Sequence, residues 1–293
     1  MRLRRGVYGV AEEVTAAQAA GRRHALDCVA VLLDLDRPGA AVSHSSALRL
    51  LGLPVRRALL PDLVRLTAPD LWRRGKGFVV NQAPLPPEDV TTRGPVRLTT
   101  PARTLVDCAR EWPLEDAVVA MDAGLLKGAV SPAGLAAAVT AARSWPGAPR
   151  AARAAGLADG RAESPLETRG RLRILGAGFP APELQVEIRV AGRLVGVADA
   201  WFEEAAVAVE FDGQVKYTDP WRGRTPERVL WEEKRREDQM RGVDIRVVRI
   251  VDEDLDANWG ATEDRLRSLL AVPGPAVRQF TTAARSRGVV RAG

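Results

Sequence analysis

Asp199, Glu210 and Asp212 are the residues of this chain whose types and spacing point to chemistry. Asp199 falls late in Leu194 to Phe202, which reads as a β-strand, and Glu210 late in the next, Ala206 to Asp212, with Glu203-Glu204 as the turn between them. Opposed or diagonal residues on two such antiparallel strands lie about 4.5 to 8 Å apart, a reach over which two carboxylates share a hard divalent cation. Glu210 and Asp212 are two apart on one strand and face the same side, which puts three acids on one patch. Val207, Val209 and Phe211 around them would dehydrate the acids and leave them mutually repulsive without a bound cation. The plainer alternative is that Asp212-Gly213 is a strand-ending turn and that a single strand acid is a solvated edge residue. Two features weigh against it. Ala205 to Val209 reads as a buried central strand, where an unpaired carboxylate is costly. Lys216 and Lys234, two of only four lysines in the chain, follow just after the strand and in the next helix.

The elements that must position these residues are legible in order. Ser164-Pro165-Leu166-Glu167 opens a helix with proline at its first position and an S-x-x-E capping pattern, ending near Gly176 to Gly178. Leu184, Val186, Ile188 and Val190 alternate with Gln185, Glu187 and Arg189, a half-buried strand, and Ala191-Gly192 is its turn. After the two acid-bearing strands, Thr225-Pro226 starts a helix running to about Arg241, and Ile245 to Val251 is a final strand. Helix, three strands, helix, strand predicts a mixed four-stranded sheet flanked by helices, its last strand parallel to the third. This α/β domain is expected over 159–272, after a junction in the small-residue and arginine-rich stretch Ser144 to Gly160, with 273–293 as a disordered tail.

Ordered in this way, Glu-Ser-Pro-Leu-Glu167, Val-Ala-Asp199, Val-Glu210-Phe-Asp212-Gly-Gln-Val-Lys216-Tyr217, Glu-Lys-Arg-Arg-Glu-Asp and Ile-Arg-Val-Val-Arg-Ile resemble the PD-(D/E)xK nuclease superfamily, more narrowly the branch related to the very-short-patch mismatch repair endonuclease. The resemblance covers about a third of the chain. It implies a restriction-endonuclease-like core and magnesium-dependent phosphodiester hydrolysis, with manganese able to substitute. It also implies metal-binding roles for Asp199 and Glu210 and an assisting role for Glu167, which the capping pattern alone also explains. Asp212 stands where the superfamily places lysine; in the related branch an acid is common there and a basic residue follows four positions later, here Lys216. Lys234 on the crossover helix is the rival for that role, because a bulge at Gly213 would turn Lys216 to the other face.

Arg222, Arg224, Lys234, Arg235, Arg236 and Arg241 are candidate phosphate contacts on that helix and the loop before it, with Trp221 and Trp231 available for stacking. Glu232, Glu233, Glu237 and Asp238 at helical spacing give the alternative of a salt-bridged solvent face. The net charge of +6 suits a polyanion, but an arginine excess of this kind also follows from a GC-rich genome. Two cysteines far apart and two histidines offer no zinc spacing. The opening residues lack the apolar stretch of a targeting signal and no eighteen apolar residues run together, so a cytosolic chain with reduced cysteines and no membrane partner is expected.

Before the junction, helices are expected over Arg23 to Leu33 and Ser45 to Leu51, a strand over Leu63 to Thr67, and a hairpin-like pair at Phe78 to Asn81 and Val96 to Thr99. Thr100-Pro101 and Ser131-Pro132 mark two later helix starts. Arg-Leu-Arg-Arg-Gly-Val-Tyr, Val-Ser-His-Ser-Ser-Ala-Leu-Arg-Leu-Leu-Gly-Leu and Leu-Thr-Thr-Pro-Ala-Arg-Thr-Leu-Val-Asp within residues 2–110 resemble the AbiEi family of type IV antitoxins and transcriptional regulators. That resemblance implies a regulator-like binding or interaction domain over 1–158, opening at the wing of a winged helix-turn-helix, Leu3 to Val10, without the recognition helix, and a toxin as a possible partner. Ser43, His44 and Ser45 read as a helix cap with a satisfied histidine, no acid lying at a telling spacing. The functional expectation is a metal-dependent nuclease acting on DNA; its rival is a non-catalytic DNA-binding regulator or antitoxin in which Asp212 marks a decayed nuclease site.

Overall fold

A computed structural model describes residues 1–61, 63–213 and 226–285, of which 226–230 and 232–234 are described by backbone alone. The fold is mixed α/β, in two compact units, Met1–Gly160 and Arg161–Gly293. Among the described residues no helix is long and apolar enough to cross a membrane.

In the first unit, strands β1 (Arg2–Arg4) and β2 (Val7–Tyr8) form a two-stranded hairpin ahead of helices α1 (Ala11–Ala19) and α2 (Arg23–Leu35). There follow β3 (Ala41–Val42), α3 (His44–Leu51), β4 (Val64–Ala68), β5 (Arg73–Gly75), β6 (Phe78–Gln82), β7 (Val90–Arg93) and β8 (Val96–Thr99). Helices α4 (Pro101–Glu111), α5 (Leu114–Leu126), α6 (Pro132–Ala141) and α7 (Ala148–Leu157) complete the unit. Its six strands are ordered β5-β6-β4-β3-β8-β7, which corrects the expected hairpin: β6 pairs with β5 and β8 with β7, and β4 and β3 stand between the two pairs. Both runs are strands, but their partners are the shorter and more polar segments beside them. Cys28, Val31, Val42, Leu66, Val80 and Leu98 pack the core. Cys28 and Cys108 are free and buried, and burial pushes the Cys28 thiol up to about 12. Ser131 accepts the Gly134 N–H at 3.0 Å and caps α6, whereas Thr100 makes no side-chain bond to α4 and leaves that start to Pro101.

Ser43 does not cap α3 either. Its hydroxyl lies 2.8 Å from His44 Nδ1 and accepts from the Thr67 hydroxyl at 2.8 Å. The acid missing at sequence spacing arrives from α4: Glu111 Oε1 is 3.5 Å from His44 Nε2. With Ser43 fully buried, no substrate reaches its oxygen, and the group is a satisfied polar core. Burial, then the charges of Arg65, Arg110 and Arg103, holds His44 well below the ordinary histidine range, and burial followed by Arg49 lowers His24 to about 4. Both folded values lie below the unfolded one near 6.5, so the stability they contribute is present above that pH and lost as pH falls from about 6.5 towards 4. Thermal unfolding followed from pH 7.5 to pH 5 is expected to show a falling midpoint, with a shallower fall in His24→Gln. Equal slopes in the two proteins would remove His24 from the account.

In the second unit, α8 (Pro165–Gly176) precedes the meander β9 (Glu183–Val190), β10 (Arg193–Phe202) and β11 (Val207–Phe211), and α9 (Pro226–Arg241) crosses over into β12 (Arg246–Ile250). Ser164 accepts the Glu167 N–H at 3.2 Å, while Glu167 Oε2 accepts from Glu163 N–H at 2.8 Å, one residue earlier than a reciprocal capping box would have it. Ala191 and Gly192 both have positive φ, 49° and 77°, the geometry of a two-residue hairpin turn. β12 runs parallel to β11, as a helical crossover requires. Beyond it lie α10 (Asp252–Asp256), α11 (Trp259–Leu270) and β13 (Phe280–Ala284).

β13 corrects two expectations. Among the described residues the sheet has five strands, ordered β12-β11-β10-β9-β13, and 273–293 is not a disordered tail throughout, because Phe280–Ala284 pairs antiparallel with Val186 to Val190 of β9. Phe280 anchors it by meeting Trp201 edge to face at 5.9 Å. Residues 286–293 lie outside the described residues. One face of the sheet is covered by α8, α10 and α11 through Ile174, Leu255 and Leu266 over Val209 and Phe211; the other packs Val186, Trp201 and Ala208 under Met240 of α9.

Candidate functional site

The acids gather where the β10–β11 ladder ends. Ala200 is opposite Val209, the last pair of that ladder, and Asp199 and Glu210 are the residues just beyond it on the two strands. β11 runs out here, and the Phe211 N–H is accepted at 2.8 Å by Asp199 Oδ2 instead of by a strand carbonyl. The second carboxylate oxygen, Oδ1, accepts from Gln185 Nε2 at 3.2 Å. The same nitrogen donates to Glu167 Oε2 at 3.0 Å, so that the first turn of α8 and the middle of β10 are joined across β9. Burial first, and then the charge of Asp199, pushes the Glu167 carboxyl up to about 7, although hydrogen bonds from the Glu163 N–H and Ser164 act the other way.

Glu210 and Asp212 are both buried, as the central-strand reading requires, but their charges are met by arginines. Arg236 of α9 places Nη2 2.9 Å from Glu210 Oε1, and Arg249 of β12 is 3.6 Å from Glu210 Oε2 and 4.0 Å from Asp212 Oδ2. Gly196 makes the first contact possible. A Cβ there would stand 2.9 Å from Arg236 Cδ and 2.3 Å from Met240 Cε, so the bare backbone of β10 is the channel through which the Arg236 side chain crosses. Among the described residues, no three histidine, cysteine, aspartate or glutamate side chains stand close enough together to hold one ion. The three acids of the sequence reading are thus two arrangements, Asp199 tied to Glu167 by an amide and Glu210 with Asp212 tied to arginines.

Of the expected phosphate contacts, Arg236 is half-buried and pairs with Glu210. Arg235 is exposed, its guanidinium 5.4 Å from the Trp231 ring, and Arg241 pairs with Glu237 one turn earlier on the helix. Lys216, Arg222, Arg224 and Trp221 lie outside the described residues, as does the side chain of Lys234, so the choice between the two lysines lies outside them too.

Three residues of the site were not anticipated: Gln185, Arg249 and Arg285. Gln185 reads from sequence as a solvent-facing position of a half-buried strand, yet it is 3% exposed. Its position opposite Asp199 follows only once a one-residue shift in the β9–β10 register, between Leu194 and Gly196, is counted. Arg285, just past β13, donates through Nη1 to Gln185 Oε1 at 3.0 Å and pairs with Glu163 Oε1 at 3.0 Å.

No family model matches the chain, and no solved structure matches it. Two uncharacterized proteins of Mycobacterium tuberculosis, from strains CDC 1551 / Oshkosh and ATCC 25618 / H37Rv, are each 32% identical to it over 114 residues, which is 39% of this chain. The match spans 42% of the length of each relative.

Proposed function

We propose that the second unit is a metal-dependent nuclease with a restriction-endonuclease-like core, hydrolysing phosphodiester bonds of nucleic acid, with DNA the favoured substrate. The first unit is read as an AbiEi-like binding or interaction domain. The observation that carries the nuclease reading is that Asp199 and Glu210 stand just beyond the last pair of the β10–β11 ladder, with the Glu167 carboxylate joined to Asp199 through Gln185. The donor set fits a hard cation. Magnesium is commonly held by one or two carboxylates, its remaining positions taken by water and substrate phosphate, so a third protein ligand is not required. Asp199 and Glu210 would hold it, with Asp212 two residues on; Glu167 would assist from α8. Bound there, the ion would supply polarisation of the phosphate and a more acidic water. The chain's own part is to present oxygen ligands and to meet the phosphate path with Arg235 and Arg241 on α9.

The test is incubation of the purified chain with supercoiled DNA, single-stranded DNA and RNA, each with magnesium, manganese or EDTA. Cation-dependent nicking or shortening is expected, and intact substrates under every condition would end the nuclease reading. The ion pairs of Glu210 and Asp212 favour a second reading, in which the fold binds nucleic acid without cutting it. Arg236 separates the two. In a nuclease its guanidinium competes with the cation for Glu210, so Arg236→Gln is expected to tighten manganese binding several-fold while weakening affinity for a phosphate backbone. Calorimetry with manganese, followed by a DNA titration in calcium, reads both signs. Manganese affinity left unchanged would place Glu210 outside the cation site.

A further inference from the structure

We propose that Gln185, its amide held in one orientation by Arg285, is the positioning residue that keeps the Glu167 and Asp199 carboxylates together, so that β13 is a working part of the acid site. The inference rests on the nuclease reading above and names residues outside its ligand set. A side-chain amide nitrogen carries two protons. Here one is directed to Glu167 Oε2 at 3.0 Å and the other to Asp199 Oδ1 at 3.2 Å, so a single neutral group spends both donors on two carboxylates.

The two ends of a glutamine amide are nearly the same size, and a flip would set Oε1 against both carboxylates. Arg285 forbids the flip. A guanidinium only donates, so the atom 3.0 Å from its Nη1 must be the amide oxygen, and Nε2 is thereby turned to the acids. Arg285 is itself fixed twice. Its backbone N–H donates to the Gln185 carbonyl at 2.9 Å, and its guanidinium pairs with Glu163 at 3.0 Å. Strand β13 therefore delivers the locking group in register with the residue it locks.

The backbone of Gln185 supports the same assignment. Its φ of 54° lies in the left-handed region that a non-glycine residue enters rarely and keeps only where its surroundings over-determine it. The pleat is reset there. Leu184 joins the core under α8 and Val186 the core under α9, although a regular strand would point both to one face. The reset leaves the Gln185 side chain, 3% exposed, at the ladder end beside Asp199.

The experiment compares the full chain with Arg285→Met, Arg285→Lys and Gln185→Met, reading manganese affinity by calorimetry, cleavage of supercoiled DNA and the thermal unfolding midpoint. Arg285→Met and Gln185→Met are expected to weaken manganese binding about tenfold or more, the scale on which groups that orient metal ligands act. The midpoint of Arg285→Met should stay close to wild type, and Arg285→Lys, which still donates to Oε1, should recover most of the affinity. Should Gln185→Met not fold, the two Arg285 variants decide. Wild-type manganese affinity in Arg285→Met, from a chain that binds manganese and cleaves, overturns the inference and spares the nuclease reading. A wild-type chain that neither binds manganese nor cleaves overturns both.

Discussion

Asp199→Asn and Glu210→Gln are each expected to lower the single-turnover rate of cation-dependent cleavage by on the order of a hundredfold or more, the scale of losing a preorganised charge partner. Affinity for nucleic acid should hold or rise, because each change removes a negative charge from the path of the phosphates. Both substitutions keep side-chain shape. The asparagine oxygen can still accept the Phe211 N–H, which Asp199 Oδ2 takes at 2.8 Å, though one of the two donors now facing that side chain loses its partner. Glutamine at 210 leaves Arg236, 2.9 Å away, with a neutral acceptor. Cleavage and binding that collapse together, with a lowered unfolding midpoint, would mean that these acids serve the fold and that the non-cutting reading is the better one.

Gly170→Ala is expected to destabilise the second unit by about 1 to 3 kcal/mol or more through overpacking. That is opposite in sign to the gain of roughly 1 kcal/mol that alanine brings to an exposed helix interior. Helix α8 lies on β11 at this glycine with no room between them. A Cβ would stand 1.9 Å from Phe211 Cε1 and 2.5 Å from its Cζ, and Phe211 is buried on the sheet. The ring must move or α8 must lift, and either motion disturbs the backbone whose N–H Asp199 holds. Denaturant unfolding measures the loss, and Gly170→Ala with Phe211→Leu should recover part of it, because the two sites share one clash. A Gly170→Ala chain as stable as wild type would rule out close packing of α8 on β11 at this glycine.

Local signals in the sequence located the elements of the second unit well. Ser164-Pro165 with Glu167, the Ala191-Gly192 turn and the alternation of β9 each act through neighbours a few residues away, and the parallel placing of β12 follows from chirality. What the sequence concealed was non-local. β13 reads Phe-Thr-Thr-Ala-Ala, too short and too weakly apolar to announce itself, and becomes a strand only because the edge of β9 is open to it. The partners of β6 and β8 were hidden for the same reason. Charge was legible by type and not by direction: Arg236, on a helix crowded with acids, looks like one member of a solvated face. The one cue to its inward course was Gly196, since a glycine inside a strand often marks the close approach of another group. Gln185 carried no such cue, because its face and its partner both depend on irregularities in β9 and β10.

The pairing of β13 with β9 also has a consequence for the growing chain. Val190 is paired with Phe280, which follows it by 90 positions in the chain. At synthesis rates of about 5 to 20 residues per second, β9 waits on the order of 5 to 20 s beside the ribosome as an open sheet edge. Its unpaired N–H and C=O groups form during that interval a template for any extended segment, including β9 of a nascent chain on a neighbouring ribosome. Glu187 and Arg189 on this strand place charges where such pairing would begin, a common protection of edges against it. The acid site is then completed only once β13 has been made, because the guanidinium beside Gln185 follows every carboxylate of that site in the chain.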